Sequence, residues 1–416
     1  MAQCVEWPSD NFHPPGVQTI SRRHILFFDQ IRAIIIALVI LHHAGLAFTT
    51  WGWFGVVVSQ EPGPIFQAIN DFSYWFLNSF GMCILFLMAG YFTPRSVHKK
   101  GIKGYLKDRL LRIGLPFLFG LLLINNLTFL VGDVFPTSVF KWKSWAEFPF
   151  NHITVLWYLV MLFGFELLYC VFVALRSYEF EVDDSVALPG VRYWVISAVV
   201  LALLEVLMGQ QTWLWRALTR SPLDGLGIQG AHSFTYGFLF AVGCKAASHR
   251  WLERIDVQFA VRWFRVSVFL SLVVLGIVLV LALQGDLAKQ AASEINRTVS
   301  VADLKALKGD LAKQAARFDV LKAALNPFVG WGVMAYLLVW KQRHEALGGH
   351  WLAQAGVDSY GAYIIHSLLL VFVMGVISLV DLNDWVSWLL GSVLGIVLSF
   401  GVSHQLRRIP VVRRVM

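Results

Sequence analysis

The sequence predicts an all-α membrane protein, a polytopic bundle of about ten transmembrane helices. Composition is the first reason: 57% of the 416 residues are hydrophobic and only 14% are charged, whereas a soluble domain usually has about a quarter charged residues. The second reason is a series of apolar stretches, each long enough to cross a bilayer. The third is the uneven distribution of lysine and arginine among the connections, which is typical of membrane proteins.

The predicted spans follow one another along the chain with mostly short connections. They lie at 26–48, 74–94, 113–131, 153–175, 191–208, 231–247, 265–283, 326–340, 357–377 and 385–403. An even number of spans places both termini on the same side. The connections on that side contain 22 lysines and arginines, against 4 in the short loops of the other side. Since basic residues mark cytoplasmic loops, we expect both termini in the cytoplasm and the protein in the plasma (inner) membrane.

Three regions follow from this arrangement. Residues 1–24 are polar and lack the apolar core of a cleavable signal, so they are predicted to be a cytoplasmic tail. Residues 25–416 form the membrane domain, and 284–325 is a polar insertion within it. The insertion contains GDLAKQAA twice, and its leucines recur at helical spacing, which predicts an extracytoplasmic amphipathic helical insertion. It either covers a substrate entrance, pairs with a partner helix, or is a tethered helix without a catalytic part.

Charge and cysteine content exclude some classes of function. The net charge of +8 is explained by basic cytoplasmic loops, so we expect contact with membrane lipid and none with nucleic acid. The four cysteines form no CxxC pair, and buried free thiols are favoured over disulfides or metal ligands. We therefore expect no metal site. The cysteines are Cys4, Cys83, Cys170 and Cys244.

The first predicted span carries three ionisable residues on one stripe. Eleven positions separate Arg32 from His43, which brings them to within roughly 20° on the helix wheel, with the histidine roughly 16 Å deeper along the axis. Asp29 lies one turn before the arginine on the same face, whereas His42 is about 80° away. Such groups are costly in a bilayer and usually face a protein interior or a wet cavity.

Two interpretations of this stripe remain open. An aspartate and an arginine that pair with each other could present His43 as a proton acceptor near neutral pH. The alternative is an ion pair that only holds helices together. The stripe therefore gives a candidate intramembrane reaction site at Asp29, Arg32 and His43.

A second candidate site lies at the inner end of the third span. Arg109 and Arg112 are three residues apart in RLLRIGLP, so they lie on neighbouring helix faces and can bind one anionic group. Phosphate or pyrophosphate arriving from the cytoplasm on a carrier would suit them. Basic residues also cluster at many helix ends, so the pattern alone is weak.

The ninth span contributes a third candidate, in SYGAYIIHS. Tyr363 and His366 lie at positions i and i+3, and Ser367 follows. A second intramembrane histidine could bind an acceptor, or could be a packed side chain with a single hydrogen bond. Spacing does not separate these alternatives.

Four further residues stand out in the middle of the chain. Glu166 and Glu205 are carboxylates within predicted spans, with no partner that the sequence identifies. Trp157 and Tyr158 mark the start of the fourth span and are interpreted as interfacial anchors.

The chain resembles the acyltransferase family 3 integral-membrane proteins, which O-acylate extracytoplasmic carbohydrates. The resemblance runs almost end to end and excludes the insertion at 284–325. Within the family it looks nearest to the branch that succinylates osmoregulated periplasmic glucans. The matching blocks, in order, are FFDQIRAIIIALVILHHAG, MCILFLMAGYFTPRS, GYLKDRLLRIGLP, LWYLVMLF, SYGAYIIHS and the closing LRRIPVVRRV.

The resemblance implies roles for individual residues. The family's arginine and histidine, separated by ten residues, fall on Arg32 and His43, with the histidine as catalytic base and Asp29 preceding the arginine. The paired arginines fall on Arg109 and Arg112 and imply donor binding. The late Tyr-x-x-His falls on Tyr363 and His366, which are candidate acceptor-binding residues.

The resemblance implies an O-acyltransferase of groups other than amino-acyl groups, and the candidate sites are compatible with that activity. We expect an acetyl or succinyl group to move from a cytoplasmic acyl-CoA donor to a hydroxyl of an extracytoplasmic carbohydrate, such as a cell-envelope glucan, with no bound cofactor. The alternative is a transporter or flippase of glycans or lipid-linked sugars, using the same polar stripe as a path. No protein partner is indicated.

Overall fold

A computed structural model describes residues 23–139, 153–176, 179–209, 232–295 and 301–415. Within these residues the protein is helical, with only isolated β-bridges in a loop. The helices are α1 (Arg23–Leu46), α2 (Pro64–Arg109), α3 (Leu115–Phe119), α4 (Asn125–Val134), α5 (Trp157–Arg176), α6 (Val191–Gly209), α7 (Ser233–His249), α8 (Val257–Ile295), α9 (Val301–Arg343), α10 (Gly349–Ile377), α11 (Asp384–Leu406) and α12 (Pro410–Val415).

Seven helical stretches of the described part are long and apolar enough to cross a membrane. This confirms the predicted all-α membrane bundle, while the count of ten spans stays a prediction. Two of the ten, 191–208 and 231–247, fall on α6 and α7, which are not among the seven. Two others, 74–94 and 113–131, fall within one helical run, Pro64–Val134.

The helical run Pro64–Val134 is not straight and contains a sharp change of direction. Its 71 residues would extend roughly 107 Å as a straight helix, far more than a bilayer of about 30 Å. The backbone leaves helical geometry at Gly101 (φ 66°, ψ 162°), where the lack of a Cβ permits positive φ. The chain therefore reverses among the basic residues that the sequence assigns to a cytoplasmic loop, and two π-helical turns at Leu110–Gly114 and Gly120–Ile124 follow.

Helix α1 packs against α10, α11 and α2. Its contact with α10 is close because Gly356 faces the backbone of Asp29: a Cβ on Gly356 would lie 2.1 Å from the carbonyl oxygen of Asp29. Elsewhere in the bundle, α2 packs along α7, and α9 packs on α8 and α6. We call the end where α1 and α10 begin the basic end, and the other the opposite end.

A buried carboxylate joins α10 to α11 at the basic end. Asp358 is 3% exposed and accepts hydrogen bonds from Arg407 (2.7 Å) and His404 (2.9 Å). The C-terminal end of α11 leads into α12, which lies beside the Leu110–Gly114 turn. The C-terminal segment is thereby fixed next to the predicted donor-binding arginines.

Another buried carboxylate joins α6, α7 and α9 towards the opposite end. Glu205 is 1% exposed and accepts hydrogen bonds from Thr235 (2.6 Å) and Asn326 (3.0 Å), while His232 lies 3.2 Å away. Glu205 thus has its partners within the protein, which answers the question that the sequence left open for this residue.

The backbone of the 284–325 insertion is helical wherever it is described. Residues 284–295 continue α8, and 301–325 form the first part of α9. The insertion thus extends two membrane helices beyond the bundle, and its base rests on α2 because the Trp75 indole donates to the carbonyl of Lys322 at 3.0 Å. The role of the insertion stays a prediction, and the 1–24 tail lies almost entirely outside the described residues.

Candidate functional site

The opposite end of the bundle contains a small cavity that we call the histidine cavity. Its volume is about 120 Å³. It lies between α1, α2, the start of α5 and α10, and it contains no Asp, Glu, Lys or Arg among its described lining residues. These are Ile35, Leu38, Val39, His42, His43, Leu46, Tyr74, Leu77, Asn78, Gly81, Met82, Val155, Trp157 and Tyr363.

A hydrogen bond joins the two histidines that the sequence singled out. Nδ1 of His43 lies 3.1 Å from Nε2 of His366, and the rings stack with centroids 5.0 Å apart. His366 is fully buried, and its Nδ1 lies 2.5 Å from the carbonyl oxygen of Tyr363. The structure therefore brings together residues from α1 and α10 that are 323 positions apart.

This chain of contacts assigns the tautomers. A carbonyl oxygen only accepts, so Nδ1 of His366 carries the proton and Nε2 of the neutral ring accepts. The hydrogen bond at Nε2 must then come from Nδ1–H of His43, which leaves Nε2 of His43 as the basic nitrogen. The same arrangement of a histidine oriented by a partner on its far nitrogen is how many general bases are held.

A tight loop after α1 covers both histidines. The Trp53 ring lies 4.6 Å from His43 and 6.1 Å from His366, measured between centroids, and its indole donates to the carbonyl of Ser367 at 3.3 Å. The loop turns sharply at Gly52 (φ 65°), where a Cβ would lie 2.4 Å from the carbonyl oxygen of Val56. Glycine at this position therefore permits the turn that seats Trp53 over the histidine pair.

The basic end contains a larger opening that we call the arginine cleft. Its volume is about 510 Å³. It collects the polar residues of α1, α2, α5 and α10 at that end, together with one residue of α12. The lining residues are Asp29, Arg32, Ile36, Leu85, Ala89, Phe92, Arg109, Arg112, Ile113, Tyr158, Leu162, Glu166, Gly356, Val357, Ser359, Tyr360, Tyr363 and Val415.

Asp29 and Arg32 form an ion pair in this cleft. The Arg32 Nη1 donates to Asp29 Oδ1 at 2.8 Å, and the two side chains are 39% and 20% exposed. The guanidinium also lies over the ring of Phe92, 5.5 Å from its centroid. The pair predicted from the sequence is thus present, but it lines the arginine cleft and does not orient His43, whose ring is held by His366.

Arg109 and Arg112 line the same cleft, and each has a carboxylate partner. Arg109 Nε lies 3.5 Å from Glu166 Oε1, and Arg112 Nε lies 3.2 Å from Asp108 Oδ1. The Arg109 side chain is 23% exposed and that of Arg112 is 54% exposed. Arg109 therefore lies deep in the cleft while Arg112 lies at its mouth, an arrangement that can contact two parts of one anionic ligand.

Tyr363 lines both the arginine cleft and the histidine cavity, and among the described residues it alone does so. Its hydroxyl donates to the carbonyl of Val155, and its ring packs edge-on against Tyr158, with 5.9 Å between centroids. The predicted stripe on α1 is therefore divided: Arg32 lies in the cleft, His43 in the cavity, and Tyr363 stands between them.

Several residues of the two cavities were missed or misinterpreted at the level of sequence. His42 was placed off the stripe, but it lines the histidine cavity against Tyr74, with 4.6 Å between ring centroids. Trp157 lines the same cavity and does not act only as an interfacial anchor. Asn78 lies in an apolar stretch of the sequence. Nothing in that pattern distinguishes an asparagine that lines a cavity from one that is packed in the protein interior.

The described residues contain no group of three or more His, Cys, Asp or Glu side chains placed to hold a metal ion. Of the three histidines near the cavity, His43 and His366 have nearly parallel rings, whereas the ring of His42 is tilted by 48° to that of His43.

Comparison with known proteins gives a family. The profile of the acyltransferase family 3 acyltransferase domain matches residues 25–404. The glucans biosynthesis protein C of Shigella boydii serotype 4 (strain Sb227) and that of Escherichia coli (strain SMS-3-5 / SECEC) are each 27% identical to this chain over 155 residues. The match covers 37% of this chain and only 38% of each relative. No solved structure matches. Because the profile covers nearly the whole chain, this protein belongs to acyltransferase family 3.

Proposed function

We propose that the protein transfers a short acyl group, acetyl or succinyl, from an acyl-CoA thioester to a hydroxyl of an extracytoplasmic carbohydrate. One observation carries this proposal: a cleft with three arginines and a cavity with a paired histidine lie at opposite ends of the bundle and share Tyr363. A phosphorylated donor suits the first and a hydroxyl acceptor suits the second. The name of the relatives, glucans biosynthesis protein C, supports a glucan or similar cell-envelope polysaccharide as acceptor.

The donor enters from the cytoplasm at the basic end. Its phosphates bind Arg109 and Arg112, and Arg32 lies in the same cleft to stabilise negative charge. Guanidinium groups bind phosphate through two parallel hydrogen bonds. The protein binds no other cofactor in this scheme, since the thioester already supplies the activated acyl group.

The reaction takes place at His43. Its Nε2 removes the proton from a sugar hydroxyl, and the oxygen attacks the thioester carbon. The carbon–sulfur bond breaks, and the departing thiolate takes the proton from His43. His366 accepts the Nδ1–H hydrogen bond throughout and so stabilises the imidazolium that forms between the two steps.

The proposed membrane is the plasma (inner) membrane, with both termini in the cytoplasm. The segregation of lysine and arginine in the sequence supports this orientation. The test uses a reporter protein that is active only in the cytoplasm. Fused after Val415 the reporter should be active, and fused within the 284–325 insertion it should be inactive.

The test of function uses sealed vesicles containing the purified protein, acyl-CoA labelled in the acyl group, and periplasmic glucan as acceptor. We expect labelled ester on the glucan with the wild-type protein. His43→Ala should reduce transfer to the uncatalysed background, a loss of at least about 10³-fold for removal of a general base and its positioning. Mass spectrometry of the product identifies the acyl group and the acylated sugar.

The matched control is His350→Ala. His350 is a histidine on the same helix as His366 but is exposed at the basic end, so this variant should retain normal transfer. A His43→Ala protein that inserts normally and acylates at the wild-type rate contradicts the proposal. Movement of glucan across the vesicle membrane without consumption of donor would favour the alternative, a transporter or flippase.

A further inference from the structure

We infer that the acyl end of the donor passes Tyr363 and lodges in the histidine cavity against Gly81, so that the space over this glycine is the acyl-binding subsite and sets the size of the acyl group. This inference rests on the proposed function, because it concerns where that donor places its acyl group. Different experiments test the position of the acyl group and the proposed function.

The proposed phosphate-binding residues and the proposed base lie in different cavities. Reacting atoms must approach to about 3–3.5 Å for transfer, and the proposed base, His43, lies in the histidine cavity. The arginines that bind phosphate lie in the arginine cleft, and the axial separation of Arg32 and His43 is roughly 16 Å. A donor held by its phosphates must therefore send a long, thin arm from cleft to cavity, which is the shape of a phosphopantetheine thioester.

A wall formed around Tyr363 separates the two cavities, and the arm of the donor must cross it. Tyr363 lies on both sides of the wall, and its hydroxyl closes onto the carbonyl of Val155, a residue that lines only the histidine cavity. We call this hydrogen bond the latch. The neighbouring Thr154 has φ +46°, a left-handed conformation that is strained for a β-branched residue. The segment is held there because the Thr154 hydroxyl donates to Asn125 at 3.2 Å.

Free space lies beyond this wall, in the histidine cavity. Gly81 lines the histidine cavity, and a Cβ added to it would meet no atom within 4 Å. The surroundings are the apolar side chains of Leu77 and Met82 on α2 and Ile35 on α1. Such an environment suits the methyl or methylene groups of a short acyl chain. The polar Asn78 in the same lining offers an amide to a carbonyl or carboxylate oxygen.

The main experiment places a thiol in the proposed subsite. Gly81→Cys, combined with Cys83→Ala to leave one thiol in that segment, is incubated in sealed vesicles with bromoacetyl-CoA added on the donor side. If the acyl end reaches the introduced cysteine, its thiol gives up a proton to solvent and the sulfur attacks the CH2 carbon that bears bromine. Bromide leaves, and a stable thioether forms, which mass spectrometry locates. The control is Gly276→Cys on α8, another glycine whose Cβ would meet nothing within 4 Å and which lines neither cavity.

We expect labelling of Gly81→Cys at least about tenfold faster than labelling of Gly276→Cys. Adding Tyr363→Phe removes the latch hydroxyl and keeps the ring, so it should speed the labelling about fivefold, the factor that corresponds to one hydrogen bond. Tyr336→Phe, a tyrosine stacked on Phe264 away from both cavities, should leave the rate unchanged.

A second measurement uses acyl-group selectivity. Gly81→Leu fills the subsite, so transfer of succinyl should fall at least about tenfold relative to acetyl, a typical effect of a changed pocket volume. Gly276→Leu should leave the ratio unchanged. The inference is overturned if bromoacetyl-CoA does not label Gly81→Cys, whether or not small maleimides label it. It is also overturned if Gly81→Leu has the same ratio of succinyl to acetyl transfer as the wild type. In either case intact acyl transfer by the wild type would leave the proposed function standing, whereas its absence would overturn that function separately.

Discussion

Residues of the same four helices, α1, α2, α5 and α10, line the arginine cleft and the histidine cavity. The two sites differ in the charge and the exposure of their polar side chains. The cleft contains charged side chains in ion pairs, and its arginines are partly exposed, as Arg112 is at 54%. The cavity has no charged side chain in its described lining, and its His43 is hydrogen-bonded to His366. One helix, α1, supplies an ion pair to the cleft and the proposed base, His43, to the cavity.

The difference follows from the cost of charge in low-dielectric surroundings. Asp29 and Arg32 lie within reach of water at the basic end, where a paired charge is inexpensive. Deeper along the same helix an isolated charge would be costly, and an imidazole serves there because it can be neutral at rest and charged only during the reaction. Each cavity therefore uses the residue types that its depth allows.

The largest expected effect that separates the two cavities is at His366. His366→Phe keeps an aromatic ring but leaves Nδ1–H of His43 without an acceptor, so the base loses its fixed tautomer and its support when charged. We expect the kcat for acyl transfer to fall by about 10²-fold or more, with the KM for acyl-CoA unchanged. Steady-state kinetics in vesicles measures both.

A conservative variant distinguishes positioning from packing at this site. His366→Gln offers a carbonyl oxygen to Nδ1–H of His43 and should recover part of the lost kcat, together with an altered pH profile. Equal losses in both variants, with a raised donor KM, would instead assign His366 a structural role.

An intermediate effect is expected at the paired arginines, and there it should appear in donor binding and stability. Arg109→Gln leaves the carboxylate of Glu166, 2% exposed, without its partner, which costs about 3–5 kcal/mol when a buried pair is broken. Its thermal unfolding midpoint in detergent should therefore drop. Arg112→Gln, at the exposed mouth, should leave stability unchanged and raise the donor KM by about tenfold, as expected for one lost charged contact to phosphate.

A double variant checks this assignment. Arg109→Gln combined with Glu166→Gln removes both charges and should recover much of the stability lost in Arg109→Gln, without restoring donor affinity. A donor KM that is insensitive to both arginines would show that phosphates bind elsewhere.

The smallest effect is expected at the cover of the histidine cavity. Trp53→Phe keeps an aromatic ring over His43 and removes the indole donor to the Ser367 carbonyl, a loss of about 1 kcal/mol. Transfer should fall less than tenfold. Trp53→Ala, which also removes the ring and uncovers the histidines, should have the larger effect, and a reversed order would contradict the role of Trp53 as a cover.

Much of the site could be predicted from the sequence because its elements are local. Asp29 and Arg32 are one helical turn apart, and they do form an ion pair. Arg109 and Arg112 are three residues apart and do line one cleft. In each case helix geometry alone fixes the relation between the side chains.

The grouping of these residues into cavities could not be predicted in the same way. The helix wheel places Arg32 and His43 on one face and suggests a single site, but it contains no information about α10, whose Tyr363 stands between them. His42 was set aside on the same wheel, although the cavity is wide enough to include it. Periodicity describes one helix, whereas a cavity is defined by its neighbours.

By itself the sequence determined the membrane-spanning character, the helical fold class, the paired arginines and the family, because composition, apolar length and short motifs are properties of contiguous residues. Only the tertiary structure decided that His43 meets His366 across 323 positions, that Glu166 is the partner of Arg109, and that Tyr363 separates two cavities. The physical reason is that these relations depend on how helices distant in sequence pack side by side, and close approaches such as that of Gly356 to Asp29 set the register between them.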